Sequence, residues 1–156
     1  MTSQKPSVFI GSSVEGLQIA NSIQLNLQHN YYSTVWTQGI FEPSSTTLDD
    51  LIKALDQFDF AIFVFNPEDV LNMREELKET VRDNVIFEMG LFIGRIGKER
   101  TYFITPQGKN FHLPTDLIGF NPAKYDAEHP NIEAAVGAAT TQIKTKMDRL
   151  GKRKTG

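Results

Sequence analysis

The 156-residue chain has room for one domain of ordinary size, and its formal charge of -3 divides unevenly: Lys144 to Gly156 holds six basic residues and one acid, so this tail carries +5 and residues 1–143 carry -8. An acidic body offers no clustered lysines and arginines for phosphate neutralisation, so no nucleic acid is expected as a partner; with cysteine absent and His29, His112 and His129 scattered, no disulfide, thiol nucleophile or metal site is expected either. The polar start MTSQKPS is unlike a signal peptide and no apolar run reaches 18 residues, so no membrane span is expected and the expected compartment is cytoplasmic.

In chain order, Ser7-Val8-Phe9-Ile10 followed by Gly11-Ser12-Ser13 reads as a buried strand leaving a sheet through a small-residue loop. Leu17, Ile19, Ala20, Ile23 and Leu27 recur at helical spacing, and Val35-Trp36 reads as a short second strand. A polar loop over residues 37–47 is followed by Leu48, Leu51, Ile52 and Leu55, again helical, with Thr46 or Thr47 as N-cap. Phe58 to Phe65 is nearly continuous in apolar residues, the habit of a strand covered on both faces. The charge-rich residues 68–82 read as a surface loop with some helix. A helix from Asp83 or Asn84 to about Ile96 stops at Gly97, Thr101 to Thr105 reads as a strand ended by Pro106, and 107–130 is irregular with a short strand near Lys124-Tyr125. Ile132 to Leu150 closes the chain as a helix. Strands alternating with helices predict an open α/β fold with a mostly parallel central sheet flanked by helices. Ligands of such sheets bind beyond the carboxyl ends of the strands.

Two segments carry candidate chemistry. Gly11-Ser12-Ser13 lets backbone N–H groups approach a phosphate or ribose, with a helix N-terminus favouring negative charge; the plain alternative is a turn capped by Ser12 or Ser13. In the stretch from Val85 to Ile93 the only polar side chain is Glu88, flanked by Phe87, Met89 and Phe92. Desolvation there would raise its pKa and suit it to acid/base or electrostatic work. Against this, Asn84, Glu88 and Arg95 share one helical stripe, and a polar stripe usually faces solvent, with Gly90 and Gly94 then serving close packing on the sheet. Trp36 is the only tryptophan, and a lone tryptophan is more often core than a ligand platform.

Val8-Phe9-Ile10-Gly11-Ser12-Ser13, Glu15-Gly16-Leu17, Thr34-Val35-Trp36, Phe58 to Val64 and the block Arg82-Asp83-Asn84-Val85-Ile86-Phe87-Glu88-Met89-Gly90-Leu91-Phe92-Ile93-Gly94-Arg95 together resemble a bacterial TIR-like family. It is the predicted nucleotide-binding TIR-like domain of anti-phage effectors such as the TIR–STING (CBASS) and Pycsar TIR effectors. The resemblance spans about residues 7 to 126, with Met89 where leucine is commoner. It implies a flavodoxin-like TIR fold, with NAD as substrate rather than cofactor and cleavage to nicotinamide and an ADP-ribose product. Activation would come by self-association of TIR domains, driven by a fused or associated cyclic-nucleotide sensor. On this sequence it implies Glu88 as the catalytic residue, a pocket framed by Phe9, Gly11, Ser12 and Ser13, an opposite wall of Trp36 and Phe41, and a floor of Arg82, Asp83 and Asn84. The TIR-like domain would be residues 1–143, with 144–156 as the end of the last helix and a basic linker to a sensor domain. Two rivals stay open: a nucleoside 2-deoxyribosyltransferase-like enzyme, whose helix motif is similar, and a non-enzymatic TIR interaction module.

Overall fold

The structure is a computed structural model that describes residues 5–12, 16–36, 47–65, 84–108 and 122–153. In chain order its elements are β1 (Ser7–Ser12), α1 (Leu17–Leu27), β2 (Tyr32–Val35), α2 (Thr47–Leu55), β3 (Phe60–Val64), α3 (Asn84–Ile96), a 3-10 turn at Lys98–Arg100, β4 (Thr101–Pro106), β5 (Ala123–Tyr125) and α4 (Ile132–Leu150). The five strands form one sheet in the order β2-β1-β3-β4-β5. Every pairing in it is parallel. This is the flavodoxin-like order expected from the sequence, and its strand direction of travel reverses between β1 and β3.

Helices cover both faces, which is why the central strands read as apolar runs rather than alternations. On one face Val8, Ile10, Phe60, Ile62, Val64 and Ile104 pack with Ile23 and Leu27 of α1 and Val136, Ile143 and Met147 of α4. On the other, Phe9, Ala61, Phe63 and Phe103 pack with Ala54 and Leu55 of α2 and Met89, Phe92 and Ile96 of α3. This second layer is aromatic. Phe9 stacks on Phe92 with centroids 4.9 Å apart, and Phe63 lies 5.9 Å from Phe9 and 5.7 Å from Phe92. Burying each such ring contributes roughly 1.5–3 kcal/mol, with about 0.5–1.5 kcal/mol more from each ring pair.

α3 follows the sequence closely, ending where Gly97 adopts a φ of 96° that other residues rarely take. β2 starts earlier than the expected Val35-Trp36, because Tyr32, Ser33 and Thr34 lie on an edge strand with one side open to solvent and show no apolar run. Thr47 is the first helical residue of α2, and Ile52, expected on its buried face, is 50% exposed. Gly90 and Gly94 also differ from the packing role considered for them: both are exposed, and a Cβ at either would meet nothing within 4 Å.

The basic segment after α4 is fastened to the amino-terminal edge of the sheet as far as Arg153. Gly151 turns the chain at a φ of 67°, Arg100 donates to the Gly151 carbonyl at 2.9 Å, and the Arg153 amide donates to Asp59 Oδ1 at 2.8 Å. Asp59 Oδ2 accepts from the Ser7 amide at 3.0 Å, so this buried carboxylate holds the start of β1 and the segment after α4 together. A charged group of low exposure is tolerated here because both oxygens are hydrogen-bonded. Among the described residues no helix is long and apolar enough to cross a membrane.

Candidate functional site

In a sheet of this order the ligand crevice lies beyond the carboxyl ends of β1 and β3, where the strand order reverses. β1 ends in Gly11-Ser12, and Gly11 is in register with Phe63 of β3. A Cβ on Gly11 would stand 2.8 Å from Cδ1 and Cε1 of Phe63 and 3.0 Å from Cε2 of Phe9. The glycine is therefore required by the Phe63 ring, which occupies the space its side chain would fill. Beyond β3, the Phe65 carbonyl accepts from Tyr125 Oη at 3.1 Å, which ties β5 to the rim of the same crevice.

Because β3 and β4 are parallel, the helix between them returns against the strand direction, and α3 begins at the carboxyl edge. Phe92 stacks on Phe9 and so sets the height of α3 on the sheet. Four residues toward the start of the helix is a rise of about 6 Å, and two residues along β1 is about 6.6 Å, both toward the carboxyl edge. Glu88 is thereby level with Gly11. It is buried, at 9% exposure, while Arg95 of the same predicted stripe is exposed and paired with Asp56 through a 2.6 Å hydrogen bond from Nε. The stripe divides: its far end faces solvent and Glu88 does not. Burial pushes the Glu88 carboxyl up to about 7. Among the described residues no cation is paired with it, and a desolvated acid near the ligand edge of such a sheet is a candidate functional group.

Of the first loop, Ser12 lies within the described residues and Ser13 does not. Ser12 is buried, and its Oγ accepts from Trp36 Nε1 at 2.9 Å. The residue that precedes α1 is Gly16, which makes no side-chain cap, and the first turn of α1 contains no acid. Gly16, not Ser12, is the N-cap residue of this helix. Trp36 is half-buried; its amide donates to the Ile10 carbonyl at 3.0 Å, extending the β1–β2 pairing by one residue.

Gly11, Ser12 and Trp36 thus stand at the carboxyl edge, and Glu88 lies in the half of α3 that begins there. Phe9 does not join them as a pocket wall: it is 0% exposed, inside the aromatic layer that supports α3, because its side chain faces Phe92 and Phe63. Ser13, Phe41, Arg82 and Asp83 lie outside the described residues, as does the side chain of Asn84, which opens α3. The charged stretch 68–82 lies outside them too. Two cavities among the described residues are elsewhere. One, of about 630 Å³, lies between α1 and the start of α4, and the other, of about 290 Å³, lies at the amino edge beside Asp59 and Arg153. Neither contains a residue of the candidate site. Sequence reading missed the Ser12–Trp36 bond and the Asp59 anchor, because both join residues far apart in the chain, by 24 and 94 positions. Among the described residues no group of three or more His, Cys, Asp or Glu is placed to hold a metal ion.

A family model and the curated relatives point to one family. Residues 7–127 match the family model described as CAP12/Pycsar effector protein, TIR domain. The chain is 43% identical over 151 residues to the Pycsar effector protein PaPycTIR of Pseudomonas aeruginosa, covering 95% of this chain and 49% of that protein. It is 39% identical over 150 residues to the Pycsar effector protein BcPycTIR of Burkholderia cepacia, covering 95% and 50%. It is 38% identical over 148 residues to CD-NTase-associated protein 12 of Flavobacterium daejeonense, covering 95% and 45%. The chain spans about half the length of these curated relatives. The family match over residues 7–127, with relatives about 40% identical across nearly the whole chain, makes the chain a member of the CAP12/Pycsar effector TIR-domain family.

Proposed function

We propose that this chain is the NAD-cleaving domain of an antiviral effector: an NAD glycohydrolase that releases nicotinamide from NAD and leaves an ADP-ribose product. The observation that carries the reading is Glu88, a buried carboxylate in the half of α3 that begins at the carboxyl edge, with its pKa raised to about 7. In the reaction the C1′–N bond of the nicotinamide ribose breaks and its electron pair returns to the pyridinium nitrogen, so nicotinamide leaves neutral without a general acid. The ribose passes through an oxocarbenium-like state. Water then bonds to C1′, a proton is released, and ADP-ribose forms. Ionised Glu88 stabilises the positive charge that develops on the ribose and accepts hydrogen bonds from its hydroxyls. The substrate's own pyridinium charge favours the ionised form of Glu88 as it approaches, since an opposite charge lowers a carboxyl pKa. The first turn of α1, which follows the end of β1 and contains no acid, supports the reading as a place for the diphosphate.

The relatives are named as effectors of Pycsar systems or as CD-NTase-associated proteins. We carry this over as self-association of TIR domains under the control of a cyclic-nucleotide sensor, fused or associated. The test is incubation of concentrated protein with NAD, following nicotinamide by chromatography, with a deoxynucleoside-plus-base reaction in parallel. Nicotinamide release by the wild type, lost in Glu88→Ala, is the expected result. Base exchange without NAD cleavage would point to the deoxyribosyltransferase-like alternative. Intact NAD under conditions that force assembly would point to an interaction module.

A further inference from the structure

At the amino edge of the sheet, the end away from the candidate site, the cavity of about 290 Å³ is lined by Lys5, Lys152 and Arg153. Tyr32, 58% exposed, forms an aromatic wall of it, and Lys5 Nζ stands 5.3 Å from the centroid of that ring. Two carboxylates line the cavity as well, and both are engaged. Asp59 accepts the Ser7 and Arg153 amides, one on each oxygen, and Asp56 pairs with Arg95 of α3. Arg100 adds a further guanidinium, which donates to the Asp59 carbonyl at 3.4 Å. Five cations thus meet two carboxylates, in a chain whose residues 1–143 carry -8. Like charges gathered in one place repel, and an anion among them relieves that. The Arg153 side chain is also short of acceptors. Its Nη2 reaches the Asp56 carbonyl at 3.3 Å, a long bond, and its Nε is buried with no hydrogen-bond partner among the described residues. Nε and a terminal nitrogen form the edge with which a guanidinium grips two oxygens of one anion. A buried donor without an acceptor is costly, and an absent ligand accounts for it.

We propose that this cavity is a binding site for a small phosphate monoester, whose phosphate is held by Lys5, Lys152 and Arg153 and whose ester group lies against Tyr32. A phosphate supplies the Arg153 fork with the acceptors it lacks and neutralises the excess of cations. A volume of about 290 Å³ stands at the small end of ligand sites, roughly 300–1,000 Å³, and suits a ligand smaller than a dinucleotide. The site joins parts of the chain that are far apart: Lys5 precedes β1, while Lys152 and Arg153 follow α4. It shares no residue with the carboxyl edge and does not depend on the glycohydrolase reading.

The amides of Ser7 and Arg153, both bonded to Asp59 in the cavity wall, are the reporters. Nitrogen-15-labelled protein of the full chain is titrated at constant ionic strength with adenosine monophosphate, inorganic phosphate or adenosine, and amide shifts are followed by NMR. Adenosine monophosphate is expected to move the Ser7 and Arg153 amides saturably, and adenosine, which lacks the phosphate, is expected to leave them in place. Inorganic phosphate is expected to move the same amides with an affinity about tenfold lower; an equal affinity would keep the phosphate site and show that Tyr32 adds nothing to it. Lys5→Gln and Arg153→Gln each remove one charged donor and leave both reporter amides present. Each is expected to weaken adenosine monophosphate about tenfold. Binding of this probe at the carboxyl edge would instead move the amides of Gly11 and Ser12 and would persist in both variants. The proposal is overturned if neither phosphate compound moves Ser7 and Arg153 saturably in the wild type, or if the shifts survive both substitutions undiminished. Neither result bears on nicotinamide release, so the two readings stand or fall separately.

Discussion

Glu88→Gln is expected to produce a protein that is more stable than wild type at pH 8 and at least about a hundredfold slower in releasing nicotinamide. The sign follows from linkage. The folded-state pKa of Glu88 is raised by burial from 4.5 to about 7, so the folded protein binds a proton more tightly than the unfolded chain. The protonated group is fully accommodated below about pH 4.5. Between about pH 4.5 and 7 the unfolded chain is ionised while the folded one still holds its proton, so stability is lost across that window and the loss levels off above it. Glutamine is neutral at every pH and escapes that loss. The gain over wild type should therefore be small at pH 4.5, grow between 5 and 7 and level off above, reaching about 3 kcal/mol. For a chain of this length that is a rise in Tm of about 5–10 °C. The pH dependence is the diagnostic, because any constant cost of burying the amide shifts the whole curve without bending it. A thermal melt series from pH 4.5 to 8 on both proteins checks it, and a difference in Tm that does not change with pH would contradict it. Stability gained where activity is lost is the signature of a residue kept for function. The size of the activity loss follows from removing one preorganised charge from a site that stabilises a developing one.

Gly11→Ala is expected to destabilise the domain by about 1–3 kcal/mol, a large effect for one methyl group. The added Cβ would stand 2.8 Å from two ring carbons of Phe63. That ring is fully buried and confined by Phe9 and Phe92, so it cannot turn aside without moving them. Phe92 lies one turn from Glu88 on α3, and displacement of the ring should lower activity along with stability. Combining Gly11→Ala with Phe63→Leu should cost clearly less than the sum of the two single changes, since the smaller side chain removes the collision. Urea denaturation of the four proteins measures this. Simple additivity would mean that the Phe63 contact is not what requires the glycine.

The elements most easily read from the sequence are those whose surroundings are uniform. β3 is covered on both faces and reads as Phe60–Val64 without interruption; α3 and α4 are long enough for their period to be unmistakable. The 3-10 turn Lys98–Arg100 has three residues, too few for any pattern, and β2 has a polar open edge, while β5 falls at the short strand expected near Lys124-Tyr125. At the site, Glu88 was recognisable as the one polar residue in an apolar block, but its burial was not. Glu88 and Arg95 fall on one nominal helical face, and only the packing of α2 against α3, which brings Asp56 to Arg95, separates a surface ion pair from a desolvated acid. The hydrogen bond from Trp36 to Ser12 has no signature in spacing. It depends on β2 lying beside β1, a fact of topology rather than of local sequence.

The central claim is that Glu88 acts as an ionised carboxylate whose burial sets its pKa near neutrality. The pH dependence of kcat/KM for nicotinamide release from NAD reports the ionisation of the free enzyme's essential group. The profile should rise through a single ionisation near pH 7, and the residual activity of Glu88→Gln should lack that limb. A wild-type profile that is flat from pH 5 to 9, or that rises with the ordinary carboxyl value near 4.5, would contradict the account.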